Sequence, residues 1–361
     1  MKGIKRLDWY IMGKFLGTFF LSLLLIIGIV IIFDISEKID DFVSKEAPLK
    51  AVIFDYYVNF IPYFINMFSP LFVFITVIFF TSRMAANSEF IAMLSGGISY
   101  VRILLPYMGC AILIAMLSLG LNLYVIPRSN VTRTAFEDKY IKARSIKFRN
   151  VHYQIAPGQF VYVESFSRWN NTAYKFTLET IENNKLKSKL EADSAVWDST
   201  QQCWKLRNWF IRDYASGLED HITCGEKKDT AIELTVTDFY RNEKTVETLP
   251  IKDLNQLIKT QDMRGDANVM FAEIELHNRF AMPFSAIILT IMGVCLSSRK
   301  KRGGIGWNLG VGIALAFTYI LFLRFSQMFV YAGTMPAAIA LWIPNLVFAL
   351  ITVFLYTKAQ K

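Results

Sequence analysis

Six stretches of this chain are too long and too apolar to be ordinary core helices, and they leave little freedom in what it can become. A helix that crosses a bilayer needs about 20 consecutive, mostly apolar residues. Stretches of that kind run from about Phe15 to Phe33, Phe60 to Phe80, Ile103 to Ile126, Phe280 to Leu296, Trp307 to Tyr331 and Ala337 to Tyr356. Hydrophobic residues are 53% of the chain and charged residues only 19%, against roughly 25% in an ordinary soluble domain. Disordered chains are poor in apolar residues, so disorder is excluded, and the six stretches exclude a simple soluble globule. The net charge of +9 would suggest nucleic acid in a soluble chain. Here it reads as loop charge facing anionic lipid, and no nucleic acid is expected. The first stretch is not read as a cleaved signal peptide. It is too long, and it ends in Phe33-Asp34-Ile35-Ser36-Glu37 with no small-residue cleavage site.

Loop charge orients the spans. One side would hold Lys2, Lys5, Arg6, Lys14, Arg83, Arg102, Arg299-Lys300-Lys301-Arg302, Lys358 and Lys361, twelve cations in short segments. The opposite short loops carry Lys38, Lys45 and Lys50, offset by Glu37, Asp40, Asp41 and Glu46. The positive-inside rule then places both termini in the cytoplasm. The long segment between the third and fourth spans falls outside it and is the size of one domain. Its composition changes to polar–apolar alternation, as in Gln159-Phe160-Val161-Tyr162-Val163-Glu164, Tyr174-Lys175-Phe176-Thr177-Leu178-Glu179 and Glu233-Leu234-Thr235-Val236. Turn clusters such as Pro157-Gly158 and Glu182-Asn183-Asn184-Lys185 punctuate it, the pattern of an antiparallel sandwich or open barrel. Residues Ile251 to Ile258 read as a short amphipathic helix leading back to the membrane. The expected fold is therefore an α-helical membrane protein with six transmembrane helices, three (1–126) and three (267–361), around an inserted all-β domain (127–266).

Several chemistries are missing. No phosphate-cradling G-x-x-x-x-G-K-[ST] occurs, and Gly303-Gly304-Ile305-Gly306 reads as a turn plus close packing. Only three histidines exist, His152, His221 and His277. On a helix Glu273 and His277 share a face but Glu275 points away, so no three-ligand metal set forms. No serine or cysteine has a nucleophile-elbow context, and no catalytic residue or cofactor is expected in this chain. Cys203 and Cys224 could pair in an oxidising compartment.

Three signals remain. Residues Arg83 to Ser99 form the loop between the second and third spans. Ser88 before Glu89, with Phe90, Met93 and Leu94 on one stripe and Gly96 as terminator, predicts a short amphipathic helix. Such a helix either lies on the membrane surface or docks a soluble partner, with Glu89 making a charged contact. The second signal is charge at membrane depth: Arg324 inside the fifth span, Arg279 at the outer end of the fourth, Lys38 after the first, and Arg128 and Arg133 after the third. A rim of cations suits a phosphorylated lipid headgroup, and the plainer reading is snorkelling to headgroups. The third is Gly306-x-x-x-Gly310 with Gly312, which permits close helix approach, and Pro62, Pro70, Pro106, Pro283 and Pro344, which kink or end helices.

Several motifs in order carry a family resemblance. They are Leu7-Asp8-Trp9-Tyr10-Ile11; Pro70 with Ser88-Glu89-Phe90 and Ser95-Gly96-Gly97-Ile98-Ser99; Glu275-Leu276-His277-Asn278-Arg279-Phe280-Ala281-Met282-Pro283; Gly333-Thr334-Met335-Pro336; and Leu341-Trp342-Ile343-Pro344-Asn345. Across nearly its whole length the chain resembles the lipopolysaccharide-export permeases of the LptF/LptG type. The start and Gly158 to Glu164 look closer to the LptG half. The resemblance implies a heterodimer with a sister permease, a dimeric cytoplasmic ATPase, and single-span and soluble periplasmic jellyroll proteins. Such a complex extracts lipopolysaccharide from the outer leaflet of the bacterial inner membrane through a lateral gate, and the inserted domain is a β-jellyroll. It also implies that Glu89, with Arg83, Ser88 and Phe90 around it, couples to the ATPase, and that Lys38 meets lipid phosphate. Glu37, Asp40 and Asp41 dilute the charge beside Lys38. The roles of Arg128, Arg133, Arg279 and Arg324 follow from depth and charge. Two alternatives are a scaffold that displays a β-domain without transporting, and an intramembrane enzyme.

Overall fold

The computed structural model describes residues 6–141, 148–167, 169–183, 185–214, 221–230, 232, 234–236, 243–263, 265, 268–299 and 304–359. Lys2, Lys5, Lys300, Lys301, Arg302, Gly303 and Lys361 from the charge and glycine readings lie outside them, as do Asn184 and Glu233. The helices are α1 (Arg6–Ser44), α2 (Leu49–Ala86), α3 (Glu89–Ser95), α4 (Tyr100–Tyr140), α5 (Glu243–Glu247), α6 (Ile251–Met263), α7 (Val269–Ser297), α8 (Gly304–Tyr331) and α9 (Ala337–Lys358). Six of them, α1, α2, α4, α7, α8 and α9, are long and apolar enough to cross a membrane. Three precede the strands and three follow.

The helical unit comprises residues 6–141, 247–251 and 273–359 among those described. In α1 only one stripe is buried in its apolar run, Ile11, Phe15, Phe19 and Leu23, spaced so that they fall on one face. That stripe packs on Val73, Val77, Phe80 and Tyr107 of α2 and α4. A second core joins α2, α7, α8 and α9 through Phe74, Ile78, Leu289, Met292, Tyr319 and Phe348. Two glycines let backbones meet α2. A Cβ on Gly293 would sit 3.0 Å from Val77 Cγ1, and one on Gly312 would sit 2.3 Å from Ile78 Cδ1. Gly306 and Gly310 play no such part, since a Cβ on either would meet nothing within 4 Å.

Helix α4 does not stop at Ile126. A π-helical turn over Leu121–Val125 precedes Pro127, and the helix continues to Tyr140. The wider turn accommodates a proline that lacks an N–H and crowds the preceding turn. A second π-helical turn, Val52–Tyr57, sits near the start of α2.

The β unit carries one antiparallel sheet with strands in chain order: β1 (Phe148–Ala156), β2 (Gln159–Ser167), β3 (Thr172–Glu182), β4 (Lys185–Asp198), β5 (Cys203–Asp213) and β6 (His221–Thr230). Pleat alternation puts Tyr153, Val161, Val163, Phe176, Leu190 and Ala192 on one buried face. Trp204 is fully buried among them, and its Nε1–H donates to the Leu234 carbonyl at 2.7 Å. Leu234 and Thr235 lie in no strand, contrary to the alternation read there. Leu234 turns its carbonyl to Trp204 and its side chain into the core. The register also separates the two cysteines. Cys224 pairs opposite Phe210, while Cys203 pairs opposite Asp198, seven residues along β5. At about 3.3 Å per residue they are roughly 23 Å apart, beyond any disulfide, and both are free.

Candidate functional site

At the end of the helical unit where α1 begins, the short helix α3 hangs between α2 and α4. Ser88 stands at its N-cap with φ 62, left-handed, and its side chain makes no capping bond. The expected serine cap is therefore absent; the turn is made by the backbone. The helix closes through Gly97, φ 80, where Gly97 N–H and Ile98 N–H donate to Leu94 and Met93 carbonyls. Phe90 is 1% exposed and packs edge-on to Tyr100, ring centroids 5.9 Å apart. Met93 and Leu94 lean on the same core. The apolar stripe thus faces the protein, and Glu89, Ile91, Ala92 and Ser95 form the outer side. Arg83, on the last turn of α2, is exposed.

Glu89 is stapled to α1. Its carboxylate accepts from Tyr10 Oη at 2.7 Å and from Asn87 Nδ2 at 3.3 Å, and Lys14 Nζ lies 3.8 Å away. The Tyr10 bond, helped by Asn87, Lys14 and Arg83, holds the carboxyl below the ordinary glutamate range. Beside it Asp8, nearly buried, takes a bidentate pair from Arg102 at 2.7 and 2.6 Å. The start of α1, the start of α4 and α3 are therefore mechanically one piece. Sequence reasoning counted Arg102 only as loop charge and missed Asp8 as its partner and Tyr10 as the partner of Glu89. An aspartate opening an otherwise apolar helix was the available signal.

The cations at the other ends of these helices are mostly spoken for. Lys38 forms an ion pair with Asp34 one turn earlier and a hydrogen bond with Tyr56, and Asp34 also accepts from Tyr57 Oη at 3.1 Å. Arg279 is 2% exposed; its Nε donates to Glu275 at 2.7 Å and its Nη1 to the Leu249 carbonyl at 2.9 Å. Arg133, also buried, lies between Glu137 at 3.5 Å and Glu247 at 3.6 Å, with its guanidinium 4.6 Å from the centre of the Tyr63 ring. Arg324 is exposed, and it donates a hydrogen bond to the neutral Gln327 at 3.2 Å. Arg128 is exposed as well. Among the described residues neither forms an ion pair. The five cations are thus not a uniform rim: three are internally neutralised and two are presented outward. The Asp34–Lys38, Arg133–Glu137 and Glu275–Arg279 pairs all have the i,i+4 spacing that was legible beforehand. The Glu247 contact was not.

Between α1, α2 and α4 runs a groove of about 440 Å³ lined by Phe19, Phe20, Leu23, Ile65, Met116 and Leu117. Its wall hides a closed amide network. Ser118 Oγ donates to Asn66 at 2.6 Å, Asn66 to Asn122 at 2.7 Å, and Asn122 to the Arg279 carbonyl at 3.4 Å. Satisfying these amides inside the bundle leaves the groove an apolar surface, as a lipid-facing position requires.

Six apolar spans, an inserted sheet and an outward-facing short helix between spans define a multi-pass membrane protein. Residues 9–358 match the family described as lipopolysaccharide export system permease LptF/LptG, and the chain belongs to that family of transport permeases. No curated protein matches the chain.

Proposed function

We propose that this chain is the permease subunit that lifts lipopolysaccharide out of the outer leaflet of the bacterial inner membrane and passes it to a periplasmic bridge of β-domains. ATP hydrolysis belongs to a separate dimeric cytoplasmic subunit, and a sister permease completes the membrane path. The observation that carries the reading is α3: a short helix with an exposed outer side, joined to α1 through Glu89 and Tyr10, next to the Asp8–Arg102 pair that joins α4 to α1. A push on α3 moves α1, whose narrow contact stripe leaves the rest of the helix free to swing. The cationic loops favour both termini in the cytoplasm and the β unit in the periplasm. Extraction costs about 0.8 kcal/mol per CH₂, and the apolar groove beside α1 offers acyl chains a dry alternative to lipid. Arg324 and Arg128 are the first contacts for headgroup phosphate, with Lys38, Arg133 and Arg279 engaged only after their internal pairs open. Strands β1 and β6 each pair on one side in the described sheet, which suits edge-to-edge addition of a jellyroll from a single-span or soluble partner. The similarity of the start and of residues 158–164 to the LptG half favours that role within the pair.

The test is purification of the tagged full-length chain from its own envelope, with Glu89→Arg and Arg324→Ala beside the wild type. The reading expects an ATPase, a second six-span permease and a phosphorylated glycolipid with the wild type. Glu89→Arg should lose the ATPase, and Arg324→Ala should lose export while keeping the complex. A Glu89→Arg chain that keeps both ATPase and export would overturn the coupling role. An Arg324→Ala chain with full export would favour a non-transporting scaffold.

A further inference from the structure

We propose that the β unit carries an oligosaccharide-binding basin on the sheet face opposite its apolar core. The inference deepens the permease reading above: it names the part of the substrate that this unit holds. One row of the sheet makes the floor. His152, Tyr162, Thr177, Glu191 and Phe210 stand opposite one another across β1 to β5. Pleat alternation points this row away from Val161, Val163, Phe176 and Ala192, which are buried on the other face. Thr177, at the middle, is short. Tyr162 and Glu191 flank it on the row, and Lys175 and Glu179 stand before and after it on the same face of β3. The long side chains around a short one leave a hollow of about 620 Å³, within the roughly 300–1,000 Å³ of small-molecule sites. The His152 and Tyr162 rings, centroids 4.6 Å apart, wall one end. Phe210 walls the other, three strands from Tyr162 and so about 14 Å away at 4.7–4.9 Å per strand.

The backbone is shaped along one side of the hollow. Core positions are two apart in each strand up to a common line, then three apart: Val163 to Phe166, Phe176 to Ala173, Ala192 to Ala195. Each strand thus carries one extra outward residue there, as a bulge does. Lys175 and Asn208 lie on that line with φ 49 and 50, a left-handed conformation that a lysine adopts only where its surroundings impose it. Both line the hollow. Charge then selects the occupant. Lys189 Nζ lies 3.3 Å from Glu179 and 2.8 Å from Glu191, Lys175 Nζ lies 2.9 Å from Glu164, and Asn208 Nδ2 donates to Asp193 at 2.9 Å. Three carboxylates, of Glu179, Glu191 and Asp193, face two ammonium groups in the lining, which disfavours a phosphate. So many charges reject an acyl chain. A neutral molecule with many hydroxyls and apolar ring faces fits. Carboxylates keep lone pairs to accept from hydroxyls. The Phe160 and Phe210 rings, 38% and 39% exposed, offer negative faces to the C–H side of a sugar ring. The substrate of this permease family has a saccharide part, and the basin is assigned to it.

The experiment uses the full-length chain, purified with its accompanying subunits, in neutral-lipid nanodiscs. The probes are the core oligosaccharide of lipopolysaccharide, freed of lipid and phosphate, and a trimer of N-acetylglucosamine as a cell-wall glycan. Calorimetry should find saturable binding of the core oligosaccharide to the wild type. Phe210→Ala should weaken it about tenfold, and Thr177→Trp, which fills the hollow, should abolish it. A second readout needs no variant and decides the matter if either fails to assemble. In the wild type the core oligosaccharide should cut hydroxyl-radical oxidation of Phe160 and Phe210 several-fold. Trp169, 98% exposed at the β2–β3 turn, should be oxidised as before. No saturable binding, binding that both variants leave intact, or a footprint that spares Phe160 and Phe210 would each overturn the basin. Equal or tighter binding of the N-acetylglucosamine trimer would overturn its assignment to the substrate. The accompanying subunits are scored in the same preparation. Binding at the basin with no ATPase or sister permease present would support the basin and count against the permease reading. An intact complex that binds no oligosaccharide would do the reverse.

Discussion

Replacing Phe90 by alanine should unlock α3 without unfolding the bundle. Phe90 is 1% exposed, and an aromatic side chain buries about 150–250 Å². At about 25 cal/mol per Å² that is roughly 4–6 kcal/mol of transfer free energy, an upper figure; core Phe→Ala changes cost about 3–5 kcal/mol. Helix α3 has seven residues and no stability of its own, so its order is borrowed from this packing. Losing even about 3 kcal/mol should raise the open population of residues 87–99 by roughly a hundredfold, at 1.4 kcal/mol per factor of ten. Hydrogen exchange read by mass spectrometry measures this directly. Residues 87–99 should exchange about two orders of magnitude faster, and the α2 interior around Val73–Ile78 should keep its protection. ATPase recruitment should fall in the same preparation. Ile91→Ala, on the exposed side of the same helix, should change exchange little. Unaltered exchange over 87–99 in Phe90→Ala would refute the claim that this ring holds the helix. Fast exchange with undiminished ATPase recruitment would refute the claim that an ordered α3 is what the ATPase grips.

Four further outcomes follow from the same geometry. The Glu89 carboxyl is held below its ordinary value of 4.5, so the α1–α3 staple should be fully present above about pH 4.5 and lost as pH falls through the lowered value; exchange over residues 6–14 against pH checks the sign. Asp198 accepts from Lys205 and from the Thr200 and Gln201 amides, which lowers its pKa to about 2; an NMR titration should find that midpoint, and Lys205→Met should raise it. Gly312→Val drives a side chain into Ile78, with an overpacking cost of about 1–3 kcal/mol, and Ile78→Ala in the same chain should recover most of the lost thermal stability. Cys203 and Cys224 should both react with maleimide in the folded, non-reduced protein, because the β5–β6 register holds them apart.

Much of the fold was legible because hydropathy is a local property. Each span announces itself within its own 20 residues, and alternation announces most strands in the same way. The failures were also local readings. Thr235 and its neighbours alternate like a strand, yet Leu234 spends its carbonyl on Trp204, 30 residues earlier in the chain. The third apolar stretch ends at about Ile126, yet the helix runs on past Pro127, with a π-helical turn ahead of the ring. Ser88 looked like a cap, yet its backbone is left-handed and its side chain makes no capping bond. For the candidate site, residue types and depths were readable, and so were partners one helical turn away.

The sequence by itself determined six membrane-crossing segments, three on each side of a β insertion, and the set of charges at their ends. Burying a long apolar run is favourable whatever it later packs against, so no knowledge of neighbours was needed. Only the tertiary structure decided which of those charges are available. Asp8 meets Arg102 across 94 positions, and Glu247 reaches Arg133 across more than a hundred. A buried charge must find its partner among whatever groups the packed helices bring within a few ångströms, and chain order carries no record of that distance.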